Sequence, residues 1–206
     1  MMNIDKIYIV HYEPLIERKK YLLEQFLKYN VTNFEFYTEF DRRTVTQDKI
    51  RQYFHLHNLN PAQICITIAH IEIYRDIVKN KYNSCLILED DALFCDNFAE
   101  KFNTYMSCMP ADYDMAFLND GCGFHATSTG DIWCRATFSR TCCSYIITGT
   151  ACKKMLPTII PFTKAIDHEL NTQITLHKLQ VYWCEPTLIH DGSDEKYGSS
   201  HVQWCG

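Results

Sequence analysis

The stretch Ser84-Cys85-Leu86-Ile87-Leu88-Glu89-Asp90-Asp91-Ala92-Leu93-Phe94 constrains the fold more than any other, because an unbroken apolar run stops at three successive carboxylates. Residues 85–88 have the pattern of a short strand covered on both faces, as strands of parallel sheets are. In open α/β sheets ligands bind at the C-terminal ends of such strands. Three adjacent acids repel one another and are costly beside a hydrophobic core, and a bound hard cation keeps them ionised. An acidic turn after a strand is the plainer reading, and this stretch taken alone does not decide between the two.

The flanking segments supply an α/β order. Residues 6–12, β-branched and aromatic, predict a first strand ended by Pro14. Leu15, Leu22, Leu23, Phe26 and Leu27 then recur at the helical period, with Asn30 as a stop and a second strand over 33–37. This β-α-β opening is the first half of a nucleotide-binding sheet. The GxGxxG signature is absent, which argues against a dinucleotide fold of the dehydrogenase kind. Residues 44–60 predict a short helix and a loop ending at Pro61. Residues 64–78 predict a helix, since Ile64, Ile68, Ile71, Tyr74 and Val78 share a face and the run is too long for a typical strand.

After Phe94, a helix is expected from Phe98, Phe102 and Tyr105, then a strand over 114–118 ending in Asn119-Asp120-Gly121. Residues 121–140 are the least regular part and a natural substrate loop. A strand over 144–148, a turn at Gly149, a short helix over 151–156, a helix opening at 165–170 and a last strand over 179–184 follow. The polar tail, residues 191–206, is expected to be mobile.

Composition bounds the function. A chain of 206 residues suits one domain, and 47% hydrophobic with 22% charged residues is ordinary for a globular protein. A net charge of −5 leaves no basic stripe for nucleic acid, although a single diphosphate can be neutralised locally by a metal. The N-terminus lacks the apolar segment of a signal peptide, and no apolar run reaches the length of a transmembrane helix. Eleven cysteines include no paired CxxC motifs, and Cys65, Cys85 and Cys184 sit in apolar runs as small core residues. Reduced thiols in a cytosolic setting are expected.

Five segments in order carry a resemblance: Arg18 after an opening strand, Ile68-Ala69-His70 on a helix, Leu86-Ile87-Leu88-Glu89-Asp90-Asp91, Ser144-Tyr145-Ile146 with Ala151-Cys152-Lys153-Lys154-Met155-Leu156, and Ile166-Asp167-His168-Glu169-Leu170. Together they resemble glycosyltransferase family 25, which includes bacterial lipooligosaccharide galactosyltransferases and procollagen galactosyltransferases. The resemblance runs along nearly the whole chain. It implies an α/β, GT-A type nucleotide-diphospho-sugar transferase fold with a mixed, mostly parallel central sheet. The expected layout is a single domain over 1–206, with a nucleotide-binding half at 1–118, an acceptor-side half at 119–190 and the tail beyond.

The resemblance also implies an activity: transfer of a hexose, galactose or glucose, from a UDP-sugar to a glycan or glycoprotein hydroxyl, inverting and dependent on Mn²⁺ or Mg²⁺. Asp91 is then the first choice for the metal, with Glu89 or Asp90 on the ribose, a water or the metal's outer contacts. His190 is a further candidate metal ligand and His201 its alternative. Asp167, ahead of Glu169, is the candidate base for the acceptor hydroxyl. His70 and Arg18 are placed on the donor nucleotide, as is His11, which with Tyr12 stands where the family carries an Asn-Leu pair. A bacterial or viral cytoplasmic enzyme, not a secreted one, fits the lack of a signal. A metal-dependent phosphohydrolase and a catalytically silent nucleotide-sugar or glycan-binding module are the competing readings.

Overall fold

The computed structural model describes residues 4–54, 58–126 and 130–192. The chain runs β1 (Lys6–Val10), α1 (Ile16–Lys28), β2 (Phe34–Tyr37), α2 (Gln47–Arg51), α3 (Pro61–Lys79), β3 (Ser84–Glu89), β4 (Ala92–Phe94) and α4 (Phe98–Ser107). It continues through β5 (Met115–Phe117), β6 (Trp133–Ala136), β7 (Ser144–Thr148), α5 (Gly149–Met155), α6 (Ile166–His177), β8 (Val181–Cys184) and β9 (Ile189–Asp191).

Seven strands form one sheet in the order β2-β1-β3-β7-β5-β8-β6, and β4 pairs with β9 in a separate ribbon. The sheet is mixed, as expected, but evenly so: β7 and β6 run against the other five strands, which makes three pairings parallel and three antiparallel instead of mostly parallel. Side chains of successive strand residues point to opposite faces, so each strand divides between two cores. Tyr8, Cys85, Ile87, Phe117, Tyr145 and Trp183 meet α3, α5 and α6 on one face. Ile7, Ile9, Leu86, Leu88, Ala116 and Ile146 meet α1 and α4 on the other. The sheet is therefore the middle of three layers, its central strands covered on both faces and its edge strands β2 and β6 partly exposed.

Several elements depart from expectation for identifiable reasons. On α1, Leu22 and Phe26 are buried, whereas Leu27 is 85% exposed, because the contact with the sheet is narrower than the apolar stripe. Pro61 begins α3 instead of closing a loop: it occupies the first turn, behind a capping box in which Asn60 and Gln63 each accept from the other's backbone. Helix α3 is buried on most sides, Thr67, His70 and Ile73 included, since it packs both on the sheet and against α5 and α6 beside it. Gly149 is the first residue of α5, and a side chain there would come within 2.2 Å of the Tyr82 carbonyl oxygen. The irregular segment contains an edge strand, β6, pairing with β8 through only four residues. The acidic stretch is two strands: β3 ends at Glu89, the chain turns through Asp90 and Asp91, and β4 leaves the main sheet. The expected mobile tail lies outside the described residues apart from Asp191 and Gly192, and Asp191 belongs to β9.

Candidate functional site

The C-terminal ends of β1 and β3 lie side by side, with Val10 opposite Glu89, so the three acids emerge beside the residues that follow β1. Asp90 is the best-held of them. Its carboxylate accepts from His11 Nδ1 at 2.8 Å, Arg18 Nη1 at 2.8 Å and the Tyr12 backbone N–H at 3.2 Å. Burial raises its pKa, but these donors more than offset that and hold it below the ordinary carboxylate range. The fully hydrogen-bonded Asp90 thus ties β1 and α1 to the acidic turn.

Asp91 and Glu89 are in the opposite condition. Arg18 Nη1 lies 3.3 Å from Asp91 Oδ2, while Asp91 Oδ1 is buried with no hydrogen-bond partner among the described residues. Burial, then the charges of Glu89 and Asp191, drive the Asp91 pKa well up. Burial, then Asp191, Asp90 and Asp167, likewise raise Glu89. The ribbon brings Asp191 in: Ala92 pairs with Asp191, and Gly192 N–H donates to the Asp91 carbonyl at 2.9 Å. Ligand atoms of Asp91, Asp191 and Cys143 all lie within 4.8 Å of one another. Cys143 is fixed just before β7 by its carbonyl, which accepts from Glu89 N–H at 2.8 Å. Crowded carboxylates with an unsatisfied buried oxygen suit a divalent cation, whose charge would restore ionisation to all of them.

A cavity of about 230 Å³ opens against these acids. Glu89, Asp90, Asp91, His11 and Arg18 line one side, and Tyr12, Tyr37, Phe40 and Arg42 form an aromatic and cationic wall. Arg42 lies 4.2 Å from the centroid of the Tyr12 ring, and Tyr37 stacks on Phe40 with centroids 6.3 Å apart. Ala62, Cys65, Ile66 and Ala69 of α3, with Val10 and Leu15, complete the lining. Aromatic walls beside a cation and a set of carboxylates provide faces for a planar base at one end and anchoring for a diphosphate at the other.

Across the acids from this cavity, a buried chain of polar groups runs into the core. Tyr74 and Tyr145 hydroxyls lie 2.6 Å apart, and Tyr145 bonds His70 Nδ1 at 2.7 Å. His70 Nε2 faces Glu89 Oε1 at 3.6 Å. Burial pushes His70 down to about 3, so it is neutral at physiological pH.

Asp167, in the first turn of α6, acts electrostatically on both Glu89 and His70 and remains 39% exposed. Its backbone is held by the irregular segment, since Ser139 Oγ donates to the Asp167 carbonyl at 3.0 Å and Ser139 N–H to Asn171 Oδ1 at 2.7 Å. Glu169 is buried and accepts from Gln173 Nε2 at 3.1 Å, in a group that includes Thr158. The two acids of α6 therefore have different surroundings.

The structure gathers His11, Arg18, His70, Glu89, Asp90 and Asp91 at one edge of the sheet. His190 stands apart from the Asp91–Cys143–Asp191 group: its Nδ1 bonds Asp120 Oδ2 at 2.8 Å, and this bond holds Asp120 low despite burial. One residue along β9 the side chain faces the other way, which is why Asp191 joins the group. His201 lies outside the described residues. Sequence reasoning missed Asp191, which it placed in the tail, and Cys143, which looks like core. It also missed Tyr37, Phe40 and Arg42, whose convergence depends on the turn after β2.

A mixed α/β sheet with buried carboxylates at its strand ends, beside an aromatic cavity, is the architecture of a GT-A-like glycosyltransferase. A solved glycosyltransferase involved in the glycosylation of the major capsid of PBCV-1 has a similar fold, with a TM-score of 0.53 at 11% identity over 94% of this chain and 95% of that one. The chain belongs to glycosyltransferase family 25: residues 4–122 match the family described as "Glycosyltransferase family 25 (LPS biosynthesis protein)". It is also similar to a "Procollagen lysyl hydroxylase and glycosyltransferase" of Acanthamoeba polyphaga mimivirus, at 25% identity over 150 residues covering 62% of this chain. The chain spans about 17% of that relative's length. Among the described residues, no helix is long and apolar enough to cross a membrane.

Proposed function

We propose that this chain transfers a hexose, galactose or glucose, from a UDP-sugar to a hydroxyl of a glycan or glycoprotein, with inversion and with a divalent cation, Mn²⁺ or Mg²⁺, bound at the acids. The observation that carries this reading is the aromatic cavity opening directly onto Glu89, Asp90 and Asp91. In this reading Tyr12, Tyr37 and Phe40 hold the uracil ring and Arg18 and Arg42 approach the diphosphate. Asp91 and Asp191 would hold the cation, with Glu89 beside them. When bound, that ion supplies positive charge against the diphosphate leaving group.

The rest of the chemistry falls to side chains of this chain. Asp90 keeps Arg18 and His11 in place through its hydrogen bonds. Asp167 takes the proton of the acceptor hydroxyl as its oxygen attacks the anomeric carbon from the face opposite UDP. Its exposure and its position next to the segment after β6 suit a group that meets a diffusing acceptor. Neutral His70, with its Nε2 3.6 Å from Glu89 Oε1, lies beyond hydrogen-bond distance and would act on that carboxylate only through a small approach of the two groups. The mimivirus relative's name pairs a procollagen lysyl hydroxylase with a glycosyltransferase in one protein, and a protein hydroxyl among the acceptors is consistent with that pairing. In this reading most donor contacts come from the first half of the chain, Asp191 joins them at the cation, and Asp167 and the segment after β6 serve the acceptor.

UDP release from a panel of UDP-sugars, with and without Mn²⁺, tests this reading. Release by the wild-type chain should require the metal and should fall by about 10²-fold or more in Asp91→Asn, the usual scale for loss of a charge-stabilising group. Metal-independent release, or full activity in the variant, contradicts it.

A further inference from the structure

The cluster beside the acidic turn is not made of oxygen alone. Asp91 follows β3, Asp191 lies on β9 and Cys143 precedes β7, three stretches far apart in sequence that two separate sheets bring within 4.8 Å. Cys143 is 1% exposed and Asp91 7%. Cys143 packs with the α1 and α4 side of the core, and its Sγ, 4.0 Å from the His190 carbonyl oxygen, lies among the charges of Asp91, Asp191, Glu89 and Asp120. Its adjacent residue, Cys142, turns to the opposite face of the sheet and packs with the α3 side of the core. Asp91 contributes a buried oxygen, Oδ1, that no donor of the described residues satisfies. Buried carboxylate oxygen without a donor, beside a buried sulfur and a second carboxylate, is a donor set suited to a divalent ion.

We propose that Cys143 is a sulfur ligand of the divalent-cation site, completing with Asp91 and Asp191 a mixed oxygen and sulfur set that favours Co²⁺, Zn²⁺ and Mn²⁺ over Mg²⁺. The proposal rests on the reading of the acids as a cation site given above and adds the identity of its third ligand and the class of ion it selects. Coordination takes the thiolate form, so the Cys143 S–H proton leaves to solvent as the bond to the ion forms. A thiolate prefers softer ions, and Mg²⁺ takes oxygen ligands almost exclusively. Three protein ligands leave positions open for diphosphate oxygens and water, the arrangement of a working site and not of a closed structural one.

Co²⁺ titration of the full chain, followed by absorption, tests the proposal. The wild type should develop visible bands of bound Co²⁺ together with a near-ultraviolet thiolate-to-Co²⁺ charge-transfer band. Cys143→Ser should lose the charge-transfer band and bind Co²⁺ about tenfold or more weakly, while Cys142→Ser should keep the band. Should Cys143→Ser fail to fold, X-ray absorption of the Zn²⁺-loaded wild type serves instead, with sulfur expected in the inner shell at about 2.3 Å. Bound Co²⁺ without charge transfer, a band that survives in Cys143→Ser, or an inner shell of oxygen and nitrogen only would overturn sulfur ligation while leaving the acids as a cation site and sugar transfer intact. No Co²⁺ binding at all overturns the proposal too, and Mn²⁺-dependent UDP release then judges the transfer reading separately.

Discussion

At the scale of single residues, the two acids of α6 show how surroundings separate side chains two positions apart. Glu169 is buried beside Gln173, and Asp167 is half-exposed with its charge acting on Glu89. Asp167→Asn should leave UDP-sugar binding unchanged and lower transfer by about 10²-fold, whereas Glu169→Gln should alter transfer little, as steady-state kinetics of both variants will show. Equal losses in the two would remove Asp167 from the base role. The cysteines divide in the same way. All ten described cysteines are free thiols; Cys108 and Cys122 are exposed, and Cys85 is buried with its pKa pushed up to about 12. The thiolate is the reactive form, so a thiol reagent at pH 8 should label Cys108 and Cys122 in the folded protein and reach Cys85 only on unfolding. Peptide mapping of the labelled chain checks this, and early labelling at Cys85 would contradict its placement.

At the scale of elements, the acidic stretch and the segments around it were legible because their signals are local. An apolar run followed by acids, a helical period over residues 64–78 and the alternation of β1 and β2 are properties of neighbouring residues. The ribbon of β4 and β9 was not legible, since it is three residues long on each side and exists only through pairing across about half the chain. Residues 121–140 hid a second long-range device. Arg140 is fully buried, donates to Glu185 at 2.7 Å and to the Cys184 carbonyl at 3.1 Å, and lies 5.0 Å from the centroid of the Trp183 ring. It also donates to the Phe124 carbonyl, so one guanidinium ties the start of the segment to the end of β8. Nothing in the sequence around Arg140 marks it as internal. Arg140→Met removes one partner of this pair and should destabilise the fold by about 3 kcal/mol, read from the urea midpoint. A loss under about 1 kcal/mol would mean that Glu185 finds water instead.

At the scale of the whole molecule, the order of strands explains where the site lies. The sheet changes from parallel to antiparallel between β3 and β7, which sets Glu89 beside Cys143 at the edge where β1 and β3 end. Donor-side groups come from β1, α1, β2, α3 and β3, and the remaining site groups come from β7, α6 and β9. Of the candidate site, the acids Glu89, Asp90 and Asp91 were legible as a run, and His11, Arg18, His70 and Asp167 were offered only by the resemblance to family 25. It could not show Asp191 or the aromatic wall, which only the closed sheet assembles. The central claim is that these acids and this wall together bind a nucleoside diphosphate through a cation. Calorimetric titration with UDP, in Mn²⁺ and in EDTA, on the wild type and on Asp91→Asn, measures that directly. UDP should bind the wild type at least about tenfold more tightly with Mn²⁺ than without, and the variant should lose that difference. Equal affinity in all four titrations would contradict the account.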